Sequence, residues 1–536
     1  MPVKQVFLRA LLVFALAAQL LPPAGAAPPE LLSFDELVAL YSDATPRGAL
    51  ASKLEALRRT PFVDNSAWER GARPRKPDVP GRGPVLRVAQ WNIERGIELD
   101  AILAALRGPK AFAELIDPET APPSSELRDV ALEQSEHLAG ADVIVLNEVD
   151  WGVRRTGYKN VAAEIATALG MNYAYGVEFV EVDPLTLGTE EFAEADETER
   201  VELVRNLDVD RGRTRGMHGT AILSRYKLEN VRLVPFRKQG HDWYGDELDG
   251  VSHLETGKRL ASDKVFLEKV LREVRRGGRT TLYADIADAD FPFGRVTIVA
   301  THLESKTKPS SRHAQLVELL DAIRRIDNPV VLAGDMNTTS SDSTPTSVAR
   351  EIRKRLGSAE FWAERGLKWA TGVGLVYDVT LGGVAAFRKQ SDPTVRSIPL
   401  ISRNKEAKFF DTLEDFRFAD GGAFDFRGDP ERTSNGLEGT LANSNERARK
   451  GFRATFALEK TYGGVGKMKL DWIFVKPAGA KGSYLCAPHD GRTMKEMNIA
   501  TGKRISDHLP ISVDLPLSEP ATPSAARKVK PDPDDK

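Results

Sequence analysis

The sequence contains a single cysteine, Cys486, among its 536 residues. One cysteine cannot form a disulfide within the chain, which excludes a small scaffold held together by disulfides. It also excludes a structural zinc site built from several thiolates. The fold must therefore depend on a hydrophobic core. A hydrophobic content of 41% and a charged content of 28% are typical of a globular protein.

Net charge and long apolar runs are scarce as well. The formal net charge is −2 and becomes −4 if the basic residues Lys4 and Arg9 are removed with the N-terminus. Such a chain has no global basic field, so tight polyanion binding driven by net charge is not indicated. The apolar run from Ala10 to Leu21 is interrupted by Gln19 and is shorter than the roughly 20 residues that span a bilayer. We therefore expect no transmembrane segment.

The N-terminus has the pattern of a secretory signal peptide. Lys4 and Arg9 precede the apolar run, and Ala24-Gly25-Ala26 follows it as a small-residue cleavage site. We expect cleavage after Ala26. No cysteine lies near this site, so nothing indicates a lipid anchor, and the mature protein is predicted to be periplasmic or secreted.

The chain is predicted to have four parts, which are a signal peptide at 1–26, an N-terminal helical extension and linker at 27–80, a main domain at 81–517 and a disordered tail at 518–536. Two insertions are expected in the main domain, near 181–215 and 340–465. The first is acidic and only weakly periodic. The second contains a basic run at 447–469, which either faces substrate phosphates or is a solvated loop.

Polar side chains recur at the ends of predicted strands. Alternating or continuous apolar patterns predict strands at 85–94, 141–148, 217–225, 295–303, 329–337, 470–475 and 511–515, and a helix at 313–325. The polar residues at or next to these strand ends are Asn92, Glu148, His302, Asp335, Asn337, Asp471, Asp507 and His508. If the strand ends meet at one edge of the fold, these side chains form one site.

The side chains in this set share a chemistry. Carboxylates without cysteine suit a hard cation, with Mg²⁺ the default and Mn²⁺ or Ca²⁺ tolerated. Histidines beside an aspartate can supply a general base or acid with its orienting partner. Amide side chains can hold phosphate oxygens. The set therefore indicates metal-assisted hydrolysis of a phosphoester.

Six short motifs, in this order, resemble the endonuclease/exonuclease/phosphatase superfamily. They are Trp91-Asn92-Ile93-Glu94, Leu146-Asn147-Glu148, Ala300-Thr301-His302-Leu303, Gly334-Asp335-Met336-Asn337, Leu470-Asp471-Trp472 and Ser506-Asp507-His508-Leu509-Pro510. The superfamily includes DNase I-like nucleases, apurinic endonucleases, neutral sphingomyelinases and inositol polyphosphate 5-phosphatases. The resemblance implies a four-layer α/β sandwich, with two mixed β-sheets face to face, helices outside and the site where strand ends meet.

The resemblance also implies roles for the metal and phosphate ligands. Glu148 would be the principal metal ligand, with Asn92 and Asp507 nearby. Asp335 and Asn337 would lie at the scissile phosphate, with Asp335 aligning or deprotonating the water.

The two histidines would have different tasks. His508 would act as base or phosphate contact, oriented by Asp471, whose charge raises the imidazole pKa and fixes its tautomer. His302 would stabilise the phosphate charge or protonate the leaving oxygen. Either Asp335 or His508 would take the proton from water.

The substrate stays open at this level. A nucleic acid, a phospholipid head group and an inositol phosphate all carry the bond in question, and the fold does not choose between them. Export disfavours intracellular DNA repair, and the run Thr371–Phe387 is a poor candidate for a membrane hairpin of a sphingomyelinase. A nuclease-type enzyme is slightly favoured, and the rival from another class is an inactive binding module of the same fold. The default oligomeric state is a monomer.

Overall fold

The computed structural model describes residues 27–183, 187, 209–248, 274–338, 407–425, 455–457, 467–478 and 485–518. Within these ranges, strands β1 to β16 are Phe62–Asp64, Asp78–Val79, Gly83–Arg95, Val143–Trp151, Asn172–Glu181, Met217–Ser224, Glu229–Pro235, Arg275–Gly277, Thr280–Ala287, Arg295–His302, Val330–Asp335, Phe456–Ala457, Lys467–Met468, Asp471–Lys476, His489–Thr493 and Ile511–Pro516. Helices α1 to α11 are Phe34–Ser42, Gly48–Arg59, Ser66–Glu69, Leu99–Arg107, Pro109–Phe112, Glu126–Ala139, Val161–Leu169, Gly245–Leu248, Pro309–Ile323, Ala407–Asp415 and Lys495–Ile499.

The strands form two mixed sheets. The first sheet has the order β1-β5-β6-β4-β3-β16-β15, with β2 paired to β3 and β8 paired to β5. The second has the order β14-β11-β10-β9-β7, and β12 pairs separately with β13. In the described parts of the sheets, β3 and β4 run parallel, as do β10 and β11, and the other pairs are antiparallel.

The two sheets pack face to face over an apolar core. Leu86 and Val88 of β3 lie in this core with residues of the second sheet such as Ile298 and Val331. The next residues of β3 with an apolar side chain, including Trp91, belong instead to the cluster on the outer face of the first sheet. Because side chains alternate along a strand, Gln90 and Asn92 continue the inward-facing row of Leu86 and Val88. Polar side chains thus face the space between the sheets near the C-terminal end of β3.

Helices cover both outer faces. The outer face of the first sheet packs against α1, α2, α4, α5, α6, α7 and α11. The outer face of the second sheet packs against α9 and α10. The predicted four-layer α/β sandwich is therefore confirmed. Among the helices of the described ranges, none combines the length and the apolar character needed to cross a membrane.

Two segments outside the expected sheet regions contribute to these layers. In the predicted extension 27–80, Leu37 and Leu57 of the first two helices are buried against the first sheet, and β1 forms its edge through pairing with β5. In the predicted insertion 340–465, α10 packs Phe409, Phe410 and Leu413 onto the second sheet. That part of the segment therefore contributes to the outer helical layer over the second sheet. The domain boundaries and the two insertions stay predictions.

Some predicted features lie outside the described residues. These are the signal peptide at 1–26, Thr371–Phe387, most of the insertions, most of the basic run and the tail from residue 519. One member of the basic run, Lys469, is described and differs from the expectation of a phosphate-facing or solvated side chain. It is buried, with its ammonium 4.4 Å from the centre of the Trp472 ring.

We expect the substitution Phe410→Ala to lower the free energy of unfolding by roughly 3–5 kcal/mol, because it opens a cavity in the second outer layer. The Phe410 side chain is 1% exposed, and its ring lies 5.0 Å from that of Trp472. Lys408→Ala is the matched control on the exposed side of α10 and should change stability by less than about 0.5 kcal/mol. Urea unfolding measures both. Equal, small effects would show that α10 is not part of the core.

Candidate active site

The strand register brings the polar residues into two rows. In the second sheet, His302 of β10 is paired with Asp335 of β11, and Asp335 is paired with Asp471 of β14. In the first sheet, Asn92 of β3 is paired with Asn147 of β4. The rows meet between the sheets, where Asn92 Nδ2 donates to Asp335 Oδ2 over 3.2 Å. A shift of one residue in either register would turn these side chains to the opposite face.

Asn147 connects the two sheets directly beneath the site. Its Oδ1 accepts from Gln90 Nε2 at 3.1 Å and from the backbone N–H of Asp335 at 2.8 Å. Its Nδ2 donates to Thr220 Oγ1 and to the Thr301 carbonyl, each at 3.1 Å. With four partners, this buried amide is fully satisfied. These hydrogen bonds of Asn147 therefore fix the position of β11 in the second sheet relative to β4 in the first sheet.

Gly334 permits this close approach of backbone and side chain. Its φ is 150°, and a Cβ at this position would lie 1.8 Å from the Thr301 carbonyl oxygen. Any side chain would therefore push β11 away from β10 and disturb the position of Asp335.

His508 is held between two carboxylates. Its Nδ1 lies 2.7 Å from Asp471 Oδ2, and its Nε2 lies 3.7 Å from Asp335 Oδ2. Gln90 Nε2 donates to the other Asp471 oxygen at 3.0 Å. Burial works against the charged imidazole, but the negative charges of Asp471 and Asp335 outweigh it and raise the pKa of His508 well above its usual value. The two carboxylates therefore favour the positively charged imidazolium form of His508.

Asp335 is buried and lies at the centre of the cluster. Burial, with the added negative charge of Asp471, raises the pKa of Asp335 to about 7 against the opposing charge of His508. Its Oδ1 accepts from the Asn337 backbone N–H at 2.8 Å. Asn337 has φ 47°, and its Nδ2 donates to the Leu303 carbonyl at 2.9 Å, which ties its amide close to Asp335.

His302 approaches Asp335 from the other side. Its Nε2 lies 3.6 Å from Asp335 Oδ2, and its Nδ1 lies 2.7 Å from Arg279 Nη1. Burial and the positive charge of Arg279 hold the pKa of His302 well below its usual value. The same guanidinium pairs with the buried Glu178 at 2.8 Å. The two imidazoles thus flank one carboxylate oxygen. The Nδ1 partner of His302 is the positive Arg279, whereas the Nδ1 partner of His508 is the negative Asp471.

Glu148 lies beside Asn92 at an irregular point of the ladder. The register shifts between Leu146 and Val149, and Glu148 has φ 53°, which turns its half-buried side chain toward the site. Asn92 Nδ2 donates to Glu148 Oε1 at 3.2 Å. Burial disfavours its charge, but nearby positive groups, with His218 foremost, outweigh this and lower the pKa of Glu148. Glu148 is therefore ionised.

Two further carboxylates complete an acidic group next to Glu148. Glu94 Oε2 accepts from the backbone N–H of Asp507 at 2.9 Å, and Arg504 lies 3.5 Å from its other oxygen. Burial and the negative charge of Asp507 raise the pKa of Glu94 to about 7. The negative charges of these neighbouring carboxylates repel one another, which disfavours their ionisation. A bound hard cation would relieve this repulsion.

Two sets of side chains carry ligand atoms for a divalent cation. Glu148, Asp507 and the Asn92 amide have oxygen atoms of the kind that Mg²⁺ prefers. Within the described residues, the group of acidic and histidine side chains whose ligand atoms all lie within 4.8 Å of one another is Asp335, Asp471 and His508. In that group the hydrogen bond between His508 and Asp471 occupies the facing atoms.

All eight residues predicted from the sequence thus converge on one region. Asn92, His302, Asp335, Asp471 and His508 are linked directly, and the other three reach the cluster through them or through Glu94. Their individual roles stay predictions.

The sequence did not single out several residues of the site, which are Gln90, Glu94, Asn147, Glu178 and Arg279. Gln90 and Asn147 had a detectable signal, because Gln90 shares the inward-facing row with Asn92 and Asn147 precedes Glu148 at a strand end. Arg279 had none, because it precedes β9, a strand that the apolar pattern did not predict.

A profile of the Endonuclease/Exonuclease/phosphatase family matches residues 89–508. The chain belongs to this family. Hydrolysis of phosphoester bonds is the chemistry of this family, and the cluster described above lies within the matched range. No curated protein matched the sequence.

Solved structures of the family resemble the chain at low identity. The endonuclease/exonuclease/phosphatase from Beutenbergia cavernae is 16% identical over 82% of this chain and 73% of that chain, with a TM-score of 0.33. The human Nocturnin catalytic domain with bound sulfate is 13% identical over 85% and 96%, with a TM-score of 0.34. An AP endonuclease from Archaeoglobus fulgidus is 13% identical over 80% and 99%, with a TM-score of 0.34. Likenesses at this level carry no argument about the substrate.

A second buried charge cluster supports the strand that carries Glu148. Arg155 donates to both oxygens of Asp150 at 2.6 and 2.8 Å and to Glu181, and His218 Nδ1 lies 2.9 Å from Asp150. Burial opposes the charge of Asp150, but Arg155 and His218 dominate and lower its pKa to about 2.

We expect this pairing to stabilise the protein by about 2 kcal/mol, in a pH-dependent way, because Asp150 is fully buried and its pKa is lowered. A lowered acid pKa gives stability that is complete above the unfolded value of about 4 and is lost as pH falls toward 2. The stability difference between the wild type and Asp150→Asn should therefore shrink from pH 6 to pH 3 in urea unfolding. Asp100→Asn, on the exposed face of α4, is the control and should show no such trend. A constant difference for Asp150→Asn would contradict the assignment.

Proposed function

We propose that the protein is an exported, metal-dependent phosphoesterase that cleaves a phosphodiester by attack of water, with nucleic acid as the favoured substrate. One observation carries the proposal. Two imidazole Nε2 atoms flank Asp335 Oδ2 at 3.6 and 3.7 Å, next to an acidic group suited to a divalent cation. Imidazole and amide donors around a central carboxylate are the equipment for holding a phosphate next to a water-activating base.

The proton from the attacking water goes to Asp335 in this proposal. Asp471 and Asp335 raise the pKa of His508 and favour its imidazolium form, which has no lone pair left to accept a proton. Asp335, with a pKa of about 7, is matched to proton transfer near neutral pH. His508 then stabilises the phosphate charge, and Asn92 and Asn337 orient the group around Asp335.

The cation would be held by Glu148, Asp507 and Asn92, with Mg²⁺ the first choice and Mn²⁺ or Ca²⁺ as alternatives. When bound, it supplies positive charge for the phosphate oxygens. Asn92 donates its amide hydrogens to Glu148 and Asp335 in the structure, so its oxygen faces a cation only after rotation of the amide.

Exposed arginines on the turn before β6 are consistent with a polyanionic substrate. Arg211 and Arg213 are exposed there, and their guanidinium groups lie over the rings of Phe34 and Tyr158. Cationic side chains are what a nuclease uses to contact phosphates. A sphingomyelinase-like or inositol-phosphatase-like hydrolase is the alternative, and so is a binding module without turnover.

Export rests on the signal-peptide pattern of residues 1–26. The protein should be recovered from outside the cytoplasm, and N-terminal sequencing should begin at Ala27. Protein found only in the cytoplasm with Met1 intact would contradict export.

We expect Mg²⁺-dependent cleavage of plasmid DNA or RNA in a panel that also contains sphingomyelin and inositol phosphates. EDTA should abolish it, because the acidic group loses its cation. Activity that survives EDTA would refute the metal assignment. Cleavage of sphingomyelin or inositol phosphates alone would refute the nuclease assignment, and no cleavage of any substrate would favour the binding module. Glu148→Gln should raise the Mg²⁺ concentration needed, whereas Glu136→Gln, on the exposed side of α6, should not.

We expect His508→Ala to lower the turnover of bis-p-nitrophenyl phosphate by roughly 10²–10³-fold, because the phosphate loses a charged hydrogen-bond donor. His313→Ala is the matched control. His313 bonds Thr412 between the outer helices α9 and α10, so its loss should leave turnover unchanged. Undiminished turnover in a folded His508→Ala protein would refute the mechanism.

A further inference from the structure

We propose that Arg279 is a positioning residue that fixes His302 as a neutral imidazole with its proton on Nε2. His302 is then a hydrogen-bond donor to the substrate phosphate and not the acid that protonates the leaving oxygen. The part that concerns substrate rests on the proposed function. The part that concerns the tautomer stands on the contacts of the protein alone.

The tautomer follows from the chemistry of the partner. His302 Nδ1 lies 2.7 Å from Arg279 Nη1. A guanidinium has only N–H donors and no acceptor, so His302 Nδ1 must supply the lone pair in this hydrogen bond. A neutral imidazole carries its single proton on the other nitrogen. The proton of His302 is therefore on Nε2, the atom that faces Asp335 Oδ2 at 3.6 Å.

The guanidinium has little freedom to move away. Both protons of Arg279 Nη1 are used, one toward His302 Nδ1 and one toward Glu178 Oε2 at 2.8 Å. Glu178 is anchored in turn by the Thr220 hydroxyl at 2.6 Å. The guanidinium carbon lies 5.1 Å from the centre of the Phe179 ring, and Arg279 is 4% exposed.

The backbone of Arg279 is fixed at the same time. Its N–H donates to Gln239 Oε1 at 2.6 Å, and its carbonyl accepts from the Phe236 N–H at 3.0 Å. Placing a second proton on His302 would set an N–H against a guanidinium N–H, with two positive charges in contact and no acceptor between them. Glu178 Oε2, the nearest carboxylate, is 3.7 Å from Nδ1 and already accepts from Arg279.

His508 shows the opposite arrangement on the other side of Asp335. A carboxylate of Asp471 lies 2.7 Å from its Nδ1, which requires a proton on that nitrogen and favours the charged ring. The two histidines therefore present different chemistry to the same phosphate position. His508 can exchange a proton at Nε2, whereas His302 can only donate a hydrogen bond from it.

The tautomer can be measured on the substrate-free protein by NMR with ¹⁵N-labelled histidine, using His302→Asn to assign the signals. We expect Nδ1 of His302 to have the shift of a bare ring nitrogen and Nε2 that of an N–H. A proton on Nδ1, or on both nitrogens, would overturn the proposal. Because no substrate is present, this result does not depend on whether the proposed function is correct.

Two variants test whether Arg279 is the cause. In Arg279→Met the imidazole loses its donor and Glu178 becomes the nearest partner, so Nδ1 of His302 should gain a proton. Arg276→Met is the matched control. It removes another buried arginine, which instead binds the Leu40 carbonyl, and it should leave the His302 signals unchanged. Unchanged His302 signals in folded Arg279→Met protein would overturn the role of Arg279. If that variant does not fold, the wild-type spectrum still tests the tautomer.

Kinetics with two leaving groups test the role of His302. Phenol is a poorer leaving group than p-nitrophenol and needs an acid more. We expect His302→Asn to reduce the cleavage of diphenyl phosphate and of bis-p-nitrophenyl phosphate by the same factor. A much larger loss with diphenyl phosphate would identify His302 as the acid and overturn the proposal. If the wild type cleaves neither ester nor any substrate of the panel, the proposed function fails and the NMR result still decides the tautomer.

Discussion

The site depends on the burial of two aspartates that face each other across neighbouring strands. Asp335 and Asp471 occupy paired positions of β11 and β14, with no more than 2% of either residue exposed. Two carboxylates so placed repel each other and lose their hydration, which is costly unless charge and hydrogen bonds compensate. His508 supplies the charge between them, and Gln90 and Asn92 reach across from the first sheet. The same contacts that make this burial tolerable also build the reactive cluster.

The compensation is asymmetric, and the asymmetry gives the two histidines different properties. Asp471 lies behind His508 and favours its cation, whereas Arg279 lies behind His302 and favours the neutral ring. In both cases the partner is buried and forms further bonds, so the arrangement is preorganised before any substrate arrives. The charge behind each imidazole, rather than its distance from Asp335, separates the two roles.

Sequence patterns succeeded where one strand carries the information. Asp335 follows a continuous apolar run, and Asp471 begins another, so each could be placed at a strand end without knowing its neighbours. The patterns gave no placement where packing alone decides. Phe409 and Phe410 lie in the predicted insertion at 340–465, and they pack on the second sheet because α10 has an apolar face that the sheet covers. Strands β5, β7 and β9 were not predicted, and Arg279 was missed together with β9.

By itself, the sequence determined the residue types of the site, their order and their positions at strand ends, because apolar periodicity is a local property of the chain. It also determined the family, through six motifs that are each only a few residues long. Only the tertiary structure decided which side chains meet. Gln90 and Asp471 are 381 positions apart and touch because two sheets pack face to face. The tautomer of His302 was likewise decided by a guanidinium from a neighbouring strand end, since hydrogen bonds between distant residues depend on register and packing.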